Sequence, residues 1–166
     1  MHVASWRETY AGLLPDKMLS SLSVEARTEA WAKIMREPAR EHSAVVYLAE
    51  HAGAIVGFGS CCAQRSESLK NEGYDGEISA IYVLREFQKR RIGACLFRAM
   101  SSDLTRRGFG AVALWVLRDN LRARRFYERY GGRVIAERED VRTNTILVEL
   151  AYGWPTLIEH DKSLEP

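Results

Sequence analysis

The stretch that most constrains this chain is Ile81-Tyr82-Val83-Leu84-Arg85-Glu86-Phe87-Gln88-Lys89-Arg90-Arg91-Ile92-Gly93-Ala94-Cys95-Leu96. Its approach, Glu77 to Val83, alternates Ile78, Ala80 and Tyr82 with Glu77, Ser79, Ile81 and Val83. That alternation, rich in β-branched and aromatic residues, predicts a strand. From Ile92 the apolar residues Ile92, Cys95, Leu96, Ala99, Met100 and Leu104 recur at helical spacing, and Arg106-Arg107 followed by Gly108 supplies the stop. The chain therefore passes from strand through a basic turn into a helix. The first amides of a helix have no intrahelical acceptor, and the macrodipole adds positive charge there, so such a turn suits phosphate. Gly93 leaves room for close backbone approach, and Lys89, Arg90 and Arg91 add mobile cations. Neither G-x-x-x-x-G-K-[ST] nor a G-x-G-x-x-G after a strand occurs, which sets aside the two commonest nucleotide turns.

At 166 residues the chain fits one domain with a substantial core. A net charge of +2, with no basic run interleaved with aromatics, argues against nucleic acid as a partner. Cys61, Cys62 and Cys95 have no metal-binding spacing, and His2, His42, His51 and His160 are scattered, so no metal is expected. Cys95, just after the glycine, reads as a buried thiol. No apolar run is long enough to span a membrane, and the start lacks a signal-peptide profile. A reduced, cytoplasmic protein is expected.

Residues 3–12 read as a helix with Val3, Trp6 and Tyr10 on one side. Leu14-Pro15-Asp16 opens a second short helix. Ser23 caps a third that runs to Arg36, with Arg27, Ala30, Trp31 and Ile34 on its face, and Pro38 ends it. Val45–Glu50 and Ile55–Ala63 read as a hairpin around Ala52-Gly53, and 64–76 as a loop. After the central strand and helix, Ala111–Leu117 is a continuous apolar run of the kind buried on both faces of a sheet. A helix from Asn120 carries Ala123, Phe126, Tyr127 and Tyr130 and stops at Gly131-Gly132. Strands Arg133–Glu139 and Thr145–Tyr152 follow. The order ααα-ββ-β-α-β-α-ββ is a mixed α/β sheet with helices on its faces.

Four blocks resemble one family in its own order. Gln88-Lys89-Arg90-Arg91-Ile92-Gly93 resembles the acetyl-CoA signature Q/R-x-x-G-x-G/A of the GNAT acyltransferases, with Arg91 in place of the first glycine. Asn120–Gly132 resembles that superfamily's N-x-x-A-x-x-F-Y-E-x-x-G-F, with Gly132 in place of the last aromatic. Trp6–Pro15 and Ala151–Pro155 resemble the opening helices and the ending of a bacterial branch. The resemblance implies a single GNAT domain over residues 1–155, with 156–166 a polar tail. It also implies a mostly antiparallel sheet with a V-shaped splay between the central parallel strands. The family's usual first strand has no counterpart in this sequence, either because it is lost or because the chain is a truncated form, and Val45–Glu50 would then have an unpaired edge open to homodimer formation.

For function, the resemblance implies acetyl transfer from acetyl-CoA to a primary amine by direct attack in a ternary complex. Backbone groups of Ile81, Tyr82 and Val83 would pair with the pantetheine arm and polarise the acetyl carbonyl. Amides of Gln88, Lys89, Arg90, Arg91, Ile92, Gly93 and Ala94 would hold the pyrophosphate, and Asn120 would contact the cofactor or simply cap its helix. Tyr127 corresponds to the tyrosine that protonates the departing thiolate, a role that suits a phenol, or it is a core aromatic. Glu77 falls where histone-type members carry a basic glutamate, or it is a solvated carboxylate at a strand start. Ribosomal-protein acetyltransferases place a glutamate where this chain has Trp115, which favours a small-molecule amine over a protein or peptide acceptor. A non-catalytic acyl-CoA-binding module is the other reading, and retention of Tyr127 speaks against it. The acceptor pocket is expected along Trp6–Leu14, Trp115 and the loop Glu139–Asn144.

Overall fold

The computed structural model describes residues 1–36, 44–142 and 145–156. Its elements are α1 (His2–Tyr10), α2 (Asp16–Ser20), α3 (Val24–Arg36), β1 (Val45–His51), β2 (Ala54–Ala63), α4 (Glu67–Asn71), β3 (Gly76–Val83), a 3₁₀ turn (Arg85–Phe87), α5 (Ile92–Arg106), β4 (Val112–Leu117), α6 (Leu121–Arg129), β5 (Arg133–Arg142) and β6 (Thr145–Trp154). The expected order holds, with α4 added inside the segment read as a loop. Two strands also run further than expected, β5 to Arg142 and β6 to Trp154. Pro38, His42, His160, the 143–144 part of the loop expected to line the acceptor pocket and nearly all of the 156–166 tail lie outside the described residues.

The six strands form one sheet in the order β1-β2-β3-β4-β6-β5. β3 and β4 are parallel, in the register Gly76–Val112 and Glu77–Ala113, whereas β1–β2, β4–β6 and β5–β6 are antiparallel. This is the mixed, mostly antiparallel sheet expected, and β1 stands at its edge. The chain packs as two compact units. One comprises Met1–Cys62 and Ala80–Met100, and the other comprises Ala63–Ser79 with the described residues from Ser101 onward. β3 and α5 each run through both.

In the first unit, Ser23 caps α3 as expected, its Oγ accepting from the amide of Ala26 at 3.1 Å. Only Arg27 and Trp31 of the expected α3 face are partly covered; Ala30 and Ile34 are exposed. The hairpin turns on Ala52 and Gly53 with φ of 49° and 77°, the double left-handed pair that matches strand twist. β2 is buried along Val56–Cys62, so both adjacent cysteines are covered although they face opposite ways. A Cβ at Gly59 would meet Met100 Cε of α5 at 2.7 Å, so the tip of Met100 would have to shift to admit one. Cys95, by contrast, is exposed, which corrects the reading of a buried thiol. The buried stripe of α5 is Ala94, Leu96, Phe97, Met100 and Leu104, and Cys95 lies off it.

In the second unit, α4 inserts Leu69, wholly buried, against Ala113 and Ala151. Polar flanking residues hide that single anchor in the sequence. Val112, Ala113, Leu114 and Val116 are buried, as the apolar run predicts. On β6, Tyr152 and Trp154 are buried: Tyr152 reaches Glu128 of α6, and Trp154 reaches Tyr130 at its C-cap.

Candidate active site

The first unit carries the basic turn between β3 and α5. Its backbone does what the sequence hides: Lys89 and Arg91 sit at φ of 62° and 61°, in the left-handed region. Arg91 thus takes the conformation that glycine takes most easily, at the position where the family signature has glycine. The first α-helical bond into α5 is Cys95 N–H to Arg91 O at 3.0 Å. The amides of Ile92, Gly93 and Ala94, which precede it, have no acceptor within the helix. Lys89, Arg90 and Arg91 are exposed around them. Gln88 plays a different part. Its amide donates to Arg85 O at 3.2 Å, and its side-chain Nε2 donates to Val83 O at 2.7 Å. Gln88 therefore braces the turn against the end of β3, while its buried Oε1 has no partner among the described residues.

Tyr82, between Ile81 and Val83, belongs to an aromatic group with His2, Trp6, Tyr10 and Phe58. Its hydroxyl lies 3.0 Å from that of Tyr10. His2 Nδ1 accepts from Trp31 Nε1 at 2.9 Å, which places the proton of the neutral ring on Nε2. Burial first, and then the Arg27 charge, lower this imidazole to about 4. This group docks α1 and α3 on β2 and β3; sequence periodicity marks Trp6, Tyr10, Trp31 and Tyr82 on their separate elements but not that they meet.

The second unit carries Glu77, Asn120 and Tyr127. Asn120 is the N-cap of α6, its Oδ1 accepting from the amide of Ala123 at 3.2 Å, and it is buried. Tyr127 is buried at 7% exposure, its ring facing Tyr152 and Trp154. Tyr152 donates to Glu128 Oε1 at 2.5 Å and accepts from Arg124 Nε at 3.1 Å. Burial raises the Tyr152 hydroxyl above the ordinary phenol range, so it remains a donor.

Glu77 is not a solvated carboxylate. It is 7% exposed and paired with Arg65, Nη2 reaching Oε1 at 2.5 Å and Nε reaching Oε2 at 3.0 Å. The amide of Arg65 also donates to Oε2 at 3.0 Å. Both oxygens are therefore occupied by donors from Arg65. The partner sits in a stretch that reads only as polar loop, so no sequence signal marks it. Trp115 is covered by the Arg138 guanidinium, 4.1 Å from its ring centroid, and Arg138 is itself paired with Glu149. Among the described residues there is no group of three or more His, Cys, Asp or Glu that could hold a metal. No described helix is long and apolar enough to cross a membrane.

These features can be set beside known proteins. The model of the acetyltransferase (GNAT) family matches residues 6–132. The N-acetyltransferase YuaI of Bacillus subtilis is 33% identical over 157 residues, covering 95% of this chain and 85% of its own. The PaiA N-acetyltransferase of Thermoplasma acidophilum, solved with coenzyme A, superposes with a TM-score of 0.63 at 18% identity, over 89% of this chain and 86% of its own. A nourseothricin acetyltransferase superposes with a TM-score of 0.59 at 19% identity, over 68% and 65%. The fold is that of these enzymes, and the chain, an acyltransferase, belongs to the acetyltransferase (GNAT) family.

Proposed function

We propose that the protein moves the acetyl group of acetyl-CoA to the primary amine of a small molecule by direct attack in a ternary complex. The observation that carries this reading is the turn ahead of α5. Open amides at Ile92, Gly93 and Ala94 and left-handed residues at Lys89 and Arg91 form a cradle lined with cations, which fits a pyrophosphate. Bound there, acetyl-CoA supplies an activated thioester. In this reading the amides from Lys89 to Ala94 hold the pyrophosphate and Gln88 braces them. Backbone groups of Ile81, Tyr82 and Val83 pair with the pantetheine arm, and Val83 O already receives Gln88. Asn120 contributes to the cofactor site while capping α6.

Tyr127 gives its hydroxyl proton to the departing thiolate. Glu77 takes the amine proton through whichever oxygen Arg65 releases; with the ion pair intact, ordered water takes it instead. A small-molecule acceptor follows the example of nourseothricin acetyltransferase, which shares the fold. Pairing of two copies along the edge strand β1 would give a homodimer. Three cysteines outside any disulfide suit a reducing, cytoplasmic setting.

The test is thermal denaturation with and without acetyl-CoA, followed by a panel of primary amines with thiol detection of released CoA. Acetyl-CoA should raise the melting temperature, because a ligand that binds only the folded state adds RT ln(1 + [L]/Kd). Gly93→Val should abolish the rise. No stabilisation of the parent, or a full rise in the variant, would remove the turn as the pyrophosphate site. No CoA release with any amine would leave a binding module.

A further inference from the structure

Gly131 and Gly132 end α6, and only the first is needed by the backbone. Gly131 sits at φ of 81°, the left-handed residue that closes a helix. Gly132 has no left-handed φ, so its lack of a side chain answers to space. A Cβ there would lie 2.6 Å from Cζ2 of Trp154 and 3.0 Å from the carbonyl oxygen of Tyr127. The indole of Trp154 fills the room that Gly132 leaves. It is pinned by its Nε1, which donates to Tyr130 O at 2.7 Å, while the amide of Gly132 donates to Tyr127 O at 2.9 Å.

The pinned indole meets the Tyr127 ring edge-on, at 6.1 Å between centroids and 86° between planes. Tyr152, two residues earlier on the same strand face, meets that ring at 5.8 Å and is itself fixed by Glu128 and Arg124. The phenol of Tyr127 therefore packs against two β6 aromatics, and its main-chain carbonyl is held in the closing turn. A proton donor works only when its hydroxyl is held to within a fraction of an ångström of the productive geometry.

We propose that Gly132 and Trp154 are positioning residues for Tyr127: the indole seated in the glycine's space fixes the ring orientation from which the hydroxyl delivers its proton. This rests on Tyr127 being the donor to the thiolate.

The experiment compares Gly132→Ala, Trp154→Phe, the double variant and Tyr127→Phe. CoA release from acetyl-CoA is measured with the pooled amine panel and, as an acceptor-independent arm, with water alone. Gly132→Ala should lower kcat by about 10- to 100-fold with KM for acetyl-CoA within about twofold, because it displaces the donor and leaves the cofactor turn alone. Trp154→Phe removes Cζ2 and Nε1, so it makes room for the new methyl. The double variant should regain about fivefold or more over Gly132→Ala, a non-additive rescue that simple loss of packing does not give. Circular dichroism and the acetyl-CoA melting shift check that each variant folds; should Gly132→Ala fail to fold, Trp154→Phe alone should still lower kcat without moving KM. Parent turnover in Gly132→Ala, or no rescue in the double variant, beside a slow Tyr127→Phe overturns the positioning role alone. Full turnover in Tyr127→Phe overturns the donor reading and this proposal with it.

Discussion

Replacing Arg91 by glycine should make the protein more stable and, on the proposed reading, weaken acetyl-CoA binding slightly. Arg91 sits at φ of 61°, where a residue with a Cβ costs about 1–2 kcal/mol relative to the right-handed region. Glycine removes that cost but frees the unfolded chain by about 0.4–1 kcal/mol. The Arg91 side chain is exposed and has no hydrogen bond or ion pair with a described residue, so its loss costs the fold little. The net is a gain of roughly 0.5–1 kcal/mol, or about 1–4 °C in Tm for a chain of this size. Removal of one exposed cation beside a phosphate should raise Kd for acetyl-CoA by about two- to fivefold, less in high salt. Thermal denaturation of the parent, Arg91→Gly and Arg91→Ala, each with and without acetyl-CoA, checks this. Alanine keeps the strain and loses the cation, so it should show the binding change without the stability gain. A glycine variant no more stable than the alanine one would refute the strained turn. Complete loss of binding in both variants would show that the guanidinium, not the backbone, holds the anion.

Three further outcomes follow from the site. Tyr127→Phe keeps the ring between Tyr152 and Trp154 and removes the hydroxyl, so acetyl-CoA binding should persist while kcat falls by roughly 10²–10⁴; full turnover would make Tyr127 a packing residue. Glu77→Gln breaks the Arg65 pair, so Tm should fall by several degrees, and if Glu77 takes the amine proton the acidic limb of kcat/KM should disappear. An unchanged limb assigns that proton to water. For His2, burial and Arg27 lower the imidazole from 6.5 to about 4. The unfolded chain then binds a proton that the folded one refuses, so stability is full above about pH 6.5 and falls as pH drops toward 4. His2→Phe should flatten part of that fall in Tm, and an identical fall in both proteins would contradict it.

What the sequence by itself determined is local. The Ser23 and Asn120 caps, the Ala52-Gly53 turn, the apolar Val112–Leu117 strand and the strand-turn-helix around Gln88 all depend on residues within a few positions of one another, and they stand where periodicity and cap chemistry put them. The family blocks belong to the same class, since each is a contiguous run. What tertiary structure decided are the pairings between distant segments. Glu77 reads as a free carboxylate until Arg65, 12 residues away in a polar stretch, is found to occupy both its oxygens. Gly132 reads as half of a helix stop, and only the indole of Trp154 shows that its missing side chain is a matter of space. Leu69 makes a helix of a loop because its one apolar side chain finds Ala113 and Ala151. Arg91 lies between the two cases: its departure from the signature is visible in the sequence, but the fold alone holds an arginine in glycine's conformation. Sequence patterns register the energies of neighbours along the chain, whereas these roles are set by contacts that exist only once the sheet has brought remote residues together.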